Sequence, residues 1–242
     1  MSVDLPGTPS DEVPGVLAAG DGGIGTLFVS MATRHPHGDD AGYLRWHTLD
    51  HRPEQHRLPG VRASLRLVST PQCRAARAAG SPDYDAVDHV MTYFFADVAG
   101  LAAFDELSTA LGGAGRKVSL LPPVQRGVYD VAEKASAITA GADVLPWWPC
   151  RGVYLLLEST AAPTGDLLGV DGVAGSWSAT ARTVHAGITS AGEPGQSITY
   201  LFLADDPVEV ASRLAPAVRQ REPLLAAPLY PVVPWEWDRH VP

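Results

Sequence analysis

The stretch Tyr43–Val61, YLRWHTLDHRPEQHRLPGV, concentrates histidine, carboxylate and aromatic side chains at helical spacing. On a helix, Tyr43, His47, Asp50, His51 and Glu54 fall on one broad stripe, because residues three and four apart share a face. Imidazole titrates near neutral pH and can take and return a proton in one cycle. A carboxylate beside it fixes its tautomer and supports the imidazolium. His51 is therefore the candidate general acid/base, with Asp50 or Glu54 to orient it and His47 and Tyr43 as partners for a substrate oxygen. Pro53 removes one helical hydrogen bond, which opens the backbone near His51 and re-aims its side chain. A polar stripe of this kind also fits a plain solvated helix face.

The elements around this stretch follow from periodicity. Thr26–Thr33 alternates Leu27, Val29 and Met31 against Phe28 and Ser30, which predicts a strand. RHPHGDD (34–40) is a turn, with Asp39 or Asp40 placed to cap the helix that starts near Ala41; Pro53 ends that helix, and a second short turn stops at Pro59-Gly60. Val61–Thr70 reads as a half-exposed antiparallel strand, Pro71–Asp88 as a loop and His89–Ala96 as a third strand. Val98–Leu111 has Leu101, Phe104, Leu107 and Leu111 on one helical face, and Gly127–Ala135 is a fourth strand. Met91, Tyr93 and Phe95 share one strand face and Phe94 lies on the other. Which face meets a cavity stays open, and Trp46, Tyr93 and Phe95 are the candidate substrate contacts.

This β-α-β-β-α-β order is the ferredoxin-like arrangement. The second half repeats it imperfectly: GVYLLLE (152–158) resembles the first strand, and ITYLFLAD (198–205) resembles VMTYFFAD (90–97), each followed by a helix. Gly25 and Gly60 stand 35 positions apart, whereas Gly152 and Gly172 stand only 20 apart. The difference is about one helix, so the second copy has lost the Tyr43–Val61 element or cut it to a turn. The expected architecture is α+β: two ferredoxin-like units in tandem, their antiparallel sheets packed face to face as a pseudo-dimeric α/β barrel. The expected divisions are a tail at 1–24 with a helical turn at Val13–Ala19, a first unit at 25–136, a linker at 137–151 over the surface, a second unit at 152–230, and an arm at 231–242 anchored by Trp235 and Trp237.

Composition excludes several classes. A net charge of −9 opposes binding to nucleic acid or to an anionic membrane surface, and the local basic run Arg62, Arg66, Arg74 and Arg77 reads as a solvated strand face plus loop. Cys73 and Cys150 form neither a disulfide framework nor a metal spacing. The acidic, proline-rich start is not a signal peptide, and no apolar run reaches membrane-spanning length, so a soluble, cytoplasmic protein is expected. His35-Pro36-His37 with Asp39-Asp40 reads as a turn rather than a metal site, His89 as a strand end, and Arg126 and Tyr129 as surface groups. Trp147 and Trp148 read as packing anchors. The chain carries no phosphate-binding glycine loop and no G-x-S-x-G.

The run Trp46-x-x-x-Asp50-His51-x-Pro53-Glu54, followed by Leu58-Pro59-Gly60-Val61, resembles the first-helix signature of EthD-like proteins of the dimeric α/β-barrel superfamily. The resemblance covers Thr26 to about Ala135 and, without the signature, the second half. It implies a cofactor-independent enzyme acting on a small apolar or aromatic carbonyl or phenolic compound. Proton transfer through His51 would drive an isomerisation, cyclisation, dehydration or decarboxylation. A cofactor-free monooxygenase and a non-catalytic ligand-binding protein are the other readings. Chlorite-dismutase-like proteins also pair two such units and carry haem; His185 in a polar loop offers no axial-ligand context, so neither haem nor a metal is expected. Members usually pair two identical chains, and holding both halves in one chain implies a monomeric pseudo-dimer or a homodimer.

Overall fold

The computed structural model describes residues 23–116, 120–183 and 192–242, with the backbone of two short strands at 185–186 and 188–189. The expected N-terminal tail, with its turn at Val13–Ala19, falls almost wholly outside the described residues, and the side chain of His185 lies outside them.

The alternation read in the sequence builds β1 (Thr26–Ala32), with both of its faces covered: Leu27, Val29 and Met31 on one side, Phe28 on the other. β2 (Val61–Val68) is followed by the two-residue β3 (Ala79–Gly80), β4 (His89–Phe95) and the long β5 (Pro123–Ser136). The first long strands pair antiparallel in the order β2-β4-β1-β5. Then come β6 (Gly152–Glu158), β7 (Val173–Arg182), the short β8 (His185–Ala186) and β9 (Ile188–Thr189), β10 (Ser197–Leu203) and β11 (Leu225–Pro231). Their long members pair in the order β7-β10-β6-β11, the same order as in the first half. β5 runs on past β1 to pair with β7 through Val128–Ser136, and β11 pairs with β2 at Tyr230↔Val68 and Pro231↔Leu67. The molecule is thus α+β, with eight antiparallel strands in a closed barrel.

The barrel agrees with the expectation, and only the face-to-face arrangement of the sheets is corrected. The two sheets do not lie as separate layers face to face; they join at both edges, because strand twist carries each sheet round until its edges meet the other's. Pro228, which lacks an N–H, sits in β11 between the segment paired with β3 and the segment paired with β2, where no ladder bond is lost. The interior is filled by side chains from both halves, among them Val90, Phe94, Tyr129, Leu155, Trp177, Tyr200 and Phe202, all essentially inaccessible to solvent. Each such burial contributes about 1.5–3 kcal/mol. The barrel interior is a packed core, and the cleft under the first helix lies outside it.

Helices cover the outer faces. Asp39 caps α1 (Asp40–Trp46) by accepting from the Gly42 N–H at 3.0 Å. The expected break at Pro53 takes another form. A π-helical turn, His47–His51, precedes α2 (Arg52–Gln55), and the Arg52 N–H bonds the His47 carbonyl. Pro53 has no N–H to offer one turn back, and the widened turn absorbs the mismatch while the chain stays helical. Gly60 is required by close approach: a Cβ there would lie 2.8 Å from the Gly100 Cα. The stretch read as a loop after β2 contains the short helix α3 (Pro71–Ala75), capped by Thr70. α4 (Gly100–Gly113) buries Leu101, Phe104 and Leu111. In the second half only the single turn α5 (Gly165–Leu168) stands between β6 and β7, and α6 (Pro207–Arg219) packs Val210, Leu214 and Val218 on Tyr154, Leu156 and Leu201.

Four further expectations change. β2 is not half-exposed: Arg66 is 3% accessible, because α1 and its π turn cover that face. Arg74 pairs with Asp88 at 2.5 Å while staying exposed, and Arg77 bonds the Val87 carbonyl, so the run is tied into the fold rather than free on a solvated face. In the C-terminal arm Trp235 is 80% exposed and anchors nothing; Val232, Trp237 and Val241 pack against Leu44 and Val68 instead. The 137–151 segment is more than a surface cover, since Leu145 enters the core and the Ala142 carbonyl accepts from the Trp177 indole N–H at 2.8 Å.

Candidate functional site

The helical segment between β1 and β2 covers a cleft, whereas only a single turn stands between β6 and β7. Between the outer face of β1, β4 and β2 and the helices α1 and α4 lies a cleft of about 270 Å³. Phe28, Met91, Tyr93 and Phe104 supply apolar surface; Tyr43, Trp46, His47, His51, Gln55 and Arg66 supply polar and aromatic groups; Ser30, Asp105, Ser108, Leu120 and Arg126 complete the lining. The helix-facing side of β4 carries Met91, Tyr93 and Phe95, which answers the question the sequence left open.

His51 is 8% accessible, and its ring stacks on Trp46 at 4.7 Å between centroids. Its Nε2 lies 3.0 Å from the Gln55 side-chain Nε2, and the Gln55 Oε1 in turn accepts from the Tyr93 hydroxyl. These two bonds fix the chemistry of the chain. Tyr93 donates to the amide oxygen, so the amide nitrogen donates to His51, whose Nε2 is then the acceptor and whose neutral ring carries its proton on Nδ1. Burial holds the Tyr93 phenol protonated, its pKa well above the ordinary tyrosine value.

His47, 3% accessible, stacks on Tyr43 and meets His51 edge-on, with ring centroids 5.9 and 5.7 Å away. Burial first, then the charge of Arg66, pushes its pKa well below the usual histidine range, so it is neutral. Behind it runs a buried relay absent from the sequence reading: Arg66 Nη2 donates to His89 Nδ1 at 3.1 Å, and His89 Nε2 donates to Asp40 Oδ1 at 2.8 Å. Asp40 also accepts from the His35 backbone N–H at 2.7 Å. Burial alone would raise the Asp40 pKa, but these bonds outweigh it and the pKa is lowered. Arg66 also lies over the Tyr43 ring, 5.0 Å from its centroid. Deeper along β2, Arg52 donates to the Ser64 hydroxyl and carbonyl at 2.6 and 3.0 Å, and the hydroxyl bonds His56 Nε2 at 2.6 Å.

The predicted stripe is therefore split. Tyr43, Trp46, His47, His51 and Tyr93 meet in the cleft. Asp50 does not: it pairs with Arg116 on the outer face, where Glu54 also bonds Arg116 at 2.8 Å and Arg57 at 3.0 Å. The orienting role read for these carboxylates falls to Gln55. Phe95 packs edge-on against Phe104 at 5.5 Å and lies beneath the cleft rather than in it. Tyr129 points into the barrel and bonds Gln196, while Arg126 stands exposed at the cleft rim. Gln55 sits four residues after His51, a spacing visible in the sequence. Arg66, His89 and Asp40 come together only through strand register, which no local pattern encodes. Among the described residues, no group of three His, Cys, Asp or Glu side chains is placed to hold a metal ion, and no helix is long and apolar enough to cross a membrane.

No family model and no curated protein matches the chain. Solved structures do match over most of its length. An anthrone oxidase-like protein is 14% identical with a TM-score of 0.47, covering 87% of this chain and 91% of its own. A provisionally named chlorite dismutase is 11% identical with a TM-score of 0.50, covering 88% and 97%. A provisionally named monooxygenase from Lactobacillus acidophilus is 9% identical with a TM-score of 0.39, covering 86% and 94%. The second of these shares the fold. The class so defined is an α+β protein on a closed eight-stranded antiparallel barrel, with a polar-walled cleft under its first helix.

Proposed function

We propose that the chain is a small-molecule enzyme of the dimeric α/β-barrel type, EthD-like, with two ferredoxin-like units (25–136 and 152–230) in one chain. On this reading it works without a cofactor, using His51 as general acid/base on a carbonyl or phenolic compound. The observation that carries the reading is the Tyr93–Gln55–His51 chain ending in the cleft wall. It holds one imidazole in a defined tautomer, with a neutral amide on the acceptor nitrogen. A substrate that displaces this amide meets the Nε2 lone pair, and the freed Gln55 N–H can bond the substrate oxygen. The α C–H proton passes to Nε2, the C–H electron pair becomes the enolate π bond, and negative charge collects on oxygen. Return of the proton to a different atom is an isomerisation, and its delivery to a β-hydroxyl that leaves as water is a dehydration; in a decarboxylation the C–CO2− bond breaks instead, its electrons form the enolate, and protonated His51 supplies the proton to carbon. The volume lies at the lower edge of the roughly 300–1,000 Å³ typical of ligand pockets, which favours one or two rings.

The test uses a probe rather than the native substrate. Mass spectrometry of 2-tetralone in deuterium oxide is expected to show uptake accelerated by the parent protein and reduced to background by His51→Ala, with the variant's fold checked by circular dichroism. Equal acceleration by the folded variant rejects the role of His51.

A further inference from the structure

Two guanidinium groups beside the cleft have no carboxylate to neutralise them. Among the described residues, Arg52 bonds Ser64, and Arg66 bonds His89 while its Nε has no partner; neither has an acidic group within ion-pair distance. Arg66 is 3% accessible and forms part of the cleft wall. Asp40 is reached only through the neutral His89 ring and is shared with Arg34, 3.6 Å away, and the His35 N–H. A buried cation without a counter-charge is costly, and breaking even with an apolar residue of the same shape requires a well-placed anion. The other charged residues lining the cleft are Asp105, partly buried, and Arg126, exposed. The floor of Phe28, Met91 and Phe104 is apolar and fits a ring.

We propose that the cleft is an oxyanion site that takes an aromatic compound through an ionised oxygen, a carboxylate or an enolate or phenolate, seated against Arg66. The proposal rests on the cleft being the substrate site and names the substrate class for it. Guanidinium suits the task because its planar fork of donors matches a carboxylate and keeps its charge when buried. In the enolisation described above, the same group faces the oxygen on which charge collects, so ground-state anion binding and enolate stabilisation draw on one residue.

Calorimetric titration of the parent, Arg66→Met and Arg66→Lys with 2-naphthoate and the neutral 2-naphthamide tests this. The parent is expected to bind the carboxylate at least roughly tenfold more tightly than the amide. Arg66→Met is expected to weaken the carboxylate by roughly 10- to 100-fold and leave the amide unchanged, and Arg66→Lys to keep part of the preference. Methionine is close in volume and apolar, so the unchanged amide affinity also reports that the cleft is intact. 4-Nitrophenol at pH 6 separates the two oxygen types: a bound form absorbing as the phenolate assigns that class, and binding of naphthoate alone assigns the carboxylate. Equal affinities in the parent, or a preference that survives Arg66→Met, overturn the anion assignment and leave the cleft standing. Failure of the parent to bind either naphthalene probe overturns both.

Discussion

His89→Gln exposes the electrostatics of the site most cleanly. His89 accepts from Arg66 at Nδ1 and donates to Asp40 from Nε2. A second proton must enter at Nδ1, against a guanidinium 3.1 Å away, inside a site with no accessible surface. Burial, opposed by the Asp40 hydrogen bond and reinforced by Arg66, lowers the pKa from 6.5 to about 4. The unfolded chain therefore binds a proton below pH 6.5 that the folded chain refuses until about pH 4, and stability falls as pH drops through that window. At about 1.4 kcal/mol per pH unit for one proton, the loss from this residue between pH 7 and pH 5 is about 2 kcal/mol. Glutamine can donate to Asp40 and accept from Arg66 but does not titrate. His47, shifted in the same direction, is present in both proteins and cancels in the comparison. Urea unfolding at the two pH values is expected to show the parent losing about 2 kcal/mol more than His89→Gln. Equal losses refute the relay as drawn.

The other expectations concern neighbouring contacts. Tyr93→Phe leaves the buried Gln55 Oε1 without its donor, and thermal unfolding should show a loss of about 1–3 kcal/mol. Gly60→Ala forces a Cβ to within 2.8 Å of the Gly100 backbone, with an expected cost of about 1–3 kcal/mol in denaturant unfolding. Arg116→Ala removes the exposed ion pairs to Asp50 and Glu54 and should leave deuterium uptake into 2-tetralone unchanged.

Strand alternation and helix periodicity placed most of the long elements, since burial of one face is written locally as a period of 2 or 3.6. The shortened helix of the second half was equally visible, as a difference in glycine spacing. What local pattern could not supply was which outer face the first helix covers, so β2 looked half-exposed and Arg66 solvated. The site shows the same division. His47 and His51 were apparent from type and spacing, but a regular helix put Asp50 beside them, whereas the π turn leaves Asp50 on the outer face with Arg116 and brings Gln55 to His51. The Arg66–His89–Asp40 relay spans β2, β4 and α1 and depends on their register.

The central claim is that proton transfer occurs at His51, inside the cleft. Its most direct measurement is the rate of deuterium uptake into 2-tetralone for parent, His51→Ala and Asp50→Asn side by side, because the sequence stripe put the last two positions on one face and the structure separates them. Background exchange is expected for His51→Ala and the parent rate for Asp50→Asn. Loss of exchange in Asp50→Asn with retention in His51→Ala would contradict the claim.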